Sequence, residues 1–163
     1  MDVAAFNALA DADARSSLHT CLNVPRWVDT VMLGRPYGDA TALTDTARSA
    51  AEHLDDDELE GALAGHPRIG EQASSPDHDA ELSRKEQGNV DPADTEVIAE
   101  ILEGNRAYEA KFDRVFLIRA AGRTASEIRD ELHRRIDNDE ASERAETVAQ
   151  LRDIALLRLD TVV

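Results

Sequence analysis

The chain has 163 residues, with 34 acidic against 18 basic side chains and a formal charge of −16. Hydrophobic residues make up 42% and charged residues 32%, enough apolar material for one core at this length, so a single domain over 1–163 is expected. The acidic field repels phosphate backbones and anionic lipid, and no basic stripe offsets it, which argues against nucleic-acid and membrane-surface partners. No apolar run approaches the ~20 residues of a membrane span, and the N-terminus lacks a basic stretch followed by an apolar one. A cytoplasmic protein is therefore expected. Lys85 and Lys111 are the only lysines. Acidic excess with scarce lysine suits a salt-rich cytosol, where concentrated salt screens carboxylate repulsion.

In chain order, Phe6, Leu9 and Ala10 begin a helical spacing, and Ala14, Leu18, Cys21 and Leu22 continue one after an interruption at Asp11 and Asp13. Pro25 suits the first turn of a helix carrying Trp27, Val28, Val31 and Met32 and ending near Gly34. Asp39 or Thr41 can cap the next, with Leu43, Ala47, Ala50, Ala51 and Leu54 on one face. Asp55, Asp56 and Asp57 open a short helix with Leu59 and Leu63, acid at its N-terminus complementing the helix dipole. After Gly65 the helical period stops. Ser75-Pro76 starts a helix to about Gly88, and Asp91-Pro92 leads into a long one through Ile101, Asn105 and Tyr108.

Val115-Phe116-Leu117-Ile118 reads as a short extended run without an obvious partner. Thr124 to Glu127 has capping-box spacing for a helix carrying Ile128, Leu132 and Ile136. The last helix begins near Asp139 and keeps Val148, Leu151, Ile154, Ala155, Leu157 and Leu159 apolar. With 4% aromatic residues, and alanine, leucine, glutamate and arginine filling the element interiors, the fold class is all-α: one compact multi-helix domain. The surplus of apolar residues near the C-terminus fits a self-associating helix face, hence a homo-oligomer.

Cys21 is the lone cysteine, so no intrachain disulfide forms, and its apolar surroundings make it a small core residue. The five histidines show neither His-x-His nor His-Glu-x-x-His spacing, and no metal site is expected. Chemistry points instead to His66-Pro67. Proline disfavours the α region for the residue before it, so His66 is held extended, and an imidazole on a rigid loop can act as general acid or base. The alternative is a helix-stop loop whose imidazole bonds a backbone carbonyl. Ser83, Glu86 and Gln87 are spaced i, i+3, i+4, placing hydroxyl, carboxylate and amide on one helix face. They make either an ordinary solvated face or a set of donors and acceptors for a flat polar ligand.

Gly65-His66-Pro67-Arg68-Ile69-Gly70 followed by Ser83-x-x-Glu86-Gln87 closely resembles the OHCU decarboxylase family, OHCU being 2-oxo-4-hydroxy-4-carboxy-5-ureidoimidazoline. Phe6-Asn7, Arg26-Trp27, Arg35-Pro36-Tyr37, Asn105-x-x-Tyr108-Glu109-x-Lys111-Phe112, Phe116-Leu117-Ile118, and Arg135 with Asn138 follow the family pattern in order and spacing. The resemblance implies an all-helical homodimer without cofactor or metal that decarboxylates OHCU to (S)-allantoin in urate degradation. It makes His66 the catalytic histidine and Glu86 its acidic partner, with Pro67, Ser83, Glu86 and Gln87 touching substrate. Ile118, Arg119, Ala120, Ala121 and Gly122 fall where the family holds the ligand largely through backbone groups. Arg158 falls near the family's site arginine, an intrahelical ion pair being its alternative. Asp113 departs from the pattern, standing where the family commonly has glycine.

The residues' own chemistry agrees. Loss of CO₂ beside a carbonyl leaves an enolate that fixed N–H donors can stabilise, and the product's chirality requires a proton delivered to one face. Two rivals stand beside this reading: a helical interaction module with a structural His66, which allantoin would not protect against melting, and a hydrolase or isomerase of another ureido ring.

Overall fold

The computed structural model describes residues 2–69 and 95–163. Within them lie eight helices and no strand: α1 Val3–Ala8, α2 Asp11–Cys21, α3 Pro25–Leu33, α4 Ala40–Ala50, α5 Asp56–Ala64, α6 Thr95–Phe112, α7 Ala125–Ile136 and α8 Glu140–Val162. The all-α expectation holds for these residues. None of the described helices is long and apolar enough to cross a membrane. The helix starts expected at Ser75-Pro76 and at Asp91-Pro92 lie outside the described residues.

The helix starts follow their caps. Asp39 accepts from the Ala42 N–H at 2.8 Å, and Thr124 and Glu127 form the reciprocal capping box. Pro25 stands at the first position of α3, and Gly34 follows its last. Two expectations are corrected. Asp11 and Asp13 do not interrupt a helix; the break falls one step earlier, where Leu9 and Ala10 are extended, and the two acids occupy the first turn of α2, where its dipole favours them. Helix α4 stops at Ala50, so Ala51 and Leu54 reach the core from the following turn.

Two compact units are formed, one by residues 1–64 with 151–163 and the other by 65–150. In the first, Phe6, Leu18, Trp27, Val28, Val31 and Leu43 are buried, and the Trp27 indole N–H donates to Ala47 O at 2.8 Å. Sequence motifs that lie far apart meet here. The Asn7 amide donates to Tyr37 O at 2.8 Å and accepts from the Tyr37 N–H at 3.0 Å. Arg35 donates to Asn7 O and Leu9 O at 2.9 and 2.7 Å, satisfying carbonyls at the end of α1. Arg26 grips Glu58 with a two-pronged guanidinium (2.7 and 3.0 Å) and also reaches Ala50 O and His53 O. That guanidinium holds the Glu58 carboxyl below the usual carboxylate range. Cys21 is buried, as expected, and its thiol donates to Ser17 O.

In the second unit α6 packs on α7. Gly104 permits the close approach: a Cβ at that position would lie 2.6 Å from Leu132 Cδ2. Around this contact Ile69, Ile101, Tyr108, Phe112, Phe116, Ile118, Ala120, Ile128 and Leu132 make one buried cluster. Residues 115–120 are neither helix nor strand, in keeping with the partnerless extended run read from the sequence.

Candidate active site

Two segments without regular structure, 66–68 and 115–120, rest on that cluster, through Ile69 at the end of the first and Ile118 and Ala120 of the second. His66 and Pro67 are half-buried. Beside them, Arg68 forks onto Glu109 at 2.5 and 2.9 Å, and the buried Asn105 amide donates to Ile69 O at 2.9 Å. Asn105 and Glu109 are one helical turn apart on α6, so a single helix face holds the Ile69 carbonyl and the Arg68 side chain that follow the imidazole. A cavity of about 240 Å³ is lined by Arg68, Leu102, Asn105, Arg106 and Glu109.

The second segment is held by charge. Arg135 and Glu143 are both 0% exposed and paired at 2.5 Å, and Arg135 Nη1 donates to Leu117 O at 2.7 Å. Glu143 also accepts from the Tyr108 hydroxyl at 2.5 Å and from the Asn138 amide at 2.9 Å, while Arg135 reaches Thr147 at 3.2 Å and lies over the Phe116 ring. Burial first, and then the neighbouring carboxylate, push the Tyr108 phenol up to about 12. Lys111 donates to Ile136 O and Asn138 O at 2.6 and 2.8 Å, closing the end of α7.

Within 118–122 the backbone is partly engaged already. The Arg119 N–H donates to the Gln150 side chain at 2.8 Å, and Ala120 O accepts from the Arg123 N–H at 3.0 Å. Ala121 and Gly122 form a turn in which Gly122 has φ +81°, a conformation that L side chains rarely adopt. Asp113, the departure from the family pattern, has φ +53°. Aspartate is among the few residues other than glycine that tolerate this region.

Arg158, in the first unit, is buried, and its Nη1 donates to Thr20 O at 3.0 Å. Ser83, Glu86 and Gln87 lie outside the described residues. Among the described residues no three His, Cys, Asp or Glu side chains gather as a metal site would require. Spacing did not reveal what Asn105, Glu109 and the Arg135–Glu143 pair do. The available signal was polar residues on buried stripes: Asn105 between Ile101 and Tyr108, and Glu143 in line with Thr147 and Leu151.

An imidazole-bearing loop and an irregular backbone segment held on one helical core are parts that an acid–base site for a small polar ligand requires. The family model for OHCU decarboxylase matches residues 7–160. The chain belongs to the OHCU decarboxylase family, and with it to the carboxy-lyases. A sequence comparison with curated proteins finds no match. The fold is similar to a crystal structure of OHCU decarboxylase in the presence of (S)-allantoin, with TM-score 0.72, 21% identity, and coverage of 94% of this chain and 97% of that one. It is also similar to a crystal structure of (S)-allantoin synthase, with TM-score 0.73 and 14% identity, all of this chain covering 54% of the other.

Proposed function

We propose that in the family reaction, decarboxylation of OHCU to (S)-allantoin in purine degradation, His66 is the proton-transfer group and Glu86 its acidic partner. The observation that carries this reading is the anchoring of the His66 loop and of 116–120 on one buried cluster, in a chain whose family match runs from 7 to 160. The reaction needs what these parts supply. Cleavage of the C–CO₂ bond leaves its electron pair on the ring carbon, delocalised as an enolate, and N–H donors already fixed in place lower its energy without reorganising.

Backbone N–H groups within 118–122, together with Gln87, supply those donors. Arg119 is the exception, since its N–H is held by Gln150. His66 first takes the substrate hydroxyl proton and then returns a proton to one face of the carbanion, which sets the product's hand. Glu86 orients the imidazole or shares the transfer, and Pro67 and Ser83 line the substrate. Arg158, which the resemblance places at the family's site arginine, is assigned here to pairing with the carboxylate that departs. The whole of 1–163 acts as one family domain, because the match passes through both compact units. In the same reading the protein works as a homodimer in a salt-rich cytoplasm, without cofactor or metal.

The test is circular dichroism of allantoin formed from freshly generated OHCU in concentrated potassium chloride, beside a no-enzyme control. An S-allantoin signal growing faster than the control is the expected result. His66→Ala is expected to abolish the stereoselective signal with helix content unchanged, and Glu86→Gln to lose most of the rate. Wild-type turnover in both variants would refute the residue assignment, and spontaneous racemic decay with folded wild-type protein would refute the activity.

A further inference from the structure

We infer that Asn105, with Glu109 one turn further along α6, is a positioning residue that sets the place of the His66 imidazole. The inference rests on His66 being the reacting group. Residues 66–68 have no helical or sheet hydrogen bonds of their own to fix them, so their geometry must come from elsewhere. Pro67 restricts its own φ and the conformation of His66. Ile69 anchors its side chain in the cluster and its carbonyl on the Asn105 amide, and Arg68 is forked onto Glu109. Three successive residues after the histidine are thus constrained, two of them by one face of a single helix.

Asn105 is an expensive way to fill its position. It is 3% exposed, and its carbonyl oxygen has no hydrogen-bond partner among the described residues, a cost that a leucine side chain does not carry. What the amide supplies and leucine does not is the N–H on Ile69 O. The acceptor fixes which end of the amide faces the loop, so the donor is the useful end. A misplacement of about 1 Å at a reacting group can cost on the order of 100-fold in rate, so an anchor three residues away bears directly on turnover.

The experiment measures kcat and KM of Asn105→Leu and Glu109→Gln, with helix content followed by circular dichroism and the His66 imidazole titration followed by NMR. For Asn105→Leu, kcat is expected to fall about 10- to 100-fold while KM stays within about twofold and the His66 titration midpoint moves. Glu109→Gln should show a smaller fall of the same kind, and it carries the test alone if Asn105→Leu does not fold. In the background of His66→Ala, either substitution should leave the residual rate unchanged, because there is no imidazole left to place. Wild-type kcat in Asn105→Leu and Glu109→Gln, or a change confined to KM, overturns the inference. If His66→Ala itself retains full turnover, it is the reading of His66 that fails, and the two failures are told apart.

Discussion

The two compact units solve the same problem with different materials. Of the five buried polar or charged residues described, only Arg158 belongs to the unit of 1–64 and 151–163, while Asn105, Arg135, Glu143 and Thr147 belong to 65–150. Helices satisfy their own backbone, so where helix meets helix an apolar core is enough. In the first unit the carbonyls at helix ends are met by arginines, by Arg35 and Arg26 and by the buried Arg158 at Thr20 O. In the second, carbonyls next to or within segments that are not helical, at Ile69 and Leu117, need donors where water is excluded. A buried ion pair is a poor source of stability. Here it marks where backbone has to be held still.

The comparison can be broken most severely at Glu143. Glu143→Leu leaves Arg135 buried without its carboxylate and should cost about 3–5 kcal/mol in urea unfolding followed by far-ultraviolet circular dichroism. Adding Arg135→Met should return most of that stability but not the turnover, since Leu117 O then has lost its donor. If the double variant is no more stable than the single, charge is not what distinguishes this unit. In the apolar unit, Leu43→Ala should cost about 2–4 kcal/mol by the same measurement and leave kcat per folded molecule unchanged.

The alkaline limb sharpens the contrast further. An unfolded tyrosine ionises near 10 and Tyr108 at about 12. Above pH 10 the unfolded chain releases a proton that the folded one retains, so stability falls with rising pH by about 2–3 kcal/mol between 10 and 12. Urea unfolding of wild type and of Tyr108→Phe at pH 9 and 11 checks this, the variant losing less across the interval. Tyr37 in the other unit is raised too, by burial, with no carboxylate behind it. The smallest effect belongs to Asp113→Gly. Relief of the left-handed backbone is opposed by glycine's greater unfolded freedom, and a gain of no more than about 1 kcal/mol in thermal melting is expected.

The helices were legible because their signals are local. Asp39, Pro25 and the Thr124 box each act within one turn, and the structure places a helix start at each. The pause falls at Leu9 and Ala10, just before the acids that suggest it, because Asp11 and Asp13 form a first turn and not a break. His66-Pro67 was legible as a non-helical loop for the same local reason. Its anchors were not, since Asn105 lies 36 residues beyond Ile69 and Glu109 lies 41 beyond Arg68. Spacing along a chain carries no information about which distant side chain meets which carbonyl. The family resemblance includes Asn105, Glu109 and Arg135, and in this structure they support two irregular segments.

Trp27, the only tryptophan, has a consequence for anyone following this molecule by light. Its indole is buried in the first unit with its N–H on a carbonyl, so its fluorescence reports the solvent exposure of that unit's core. A variant that loosens residues 65–150 can leave emission untouched while ellipticity falls. Where the two optical signals part company, the interval between them measures how far one unit outlasts the other.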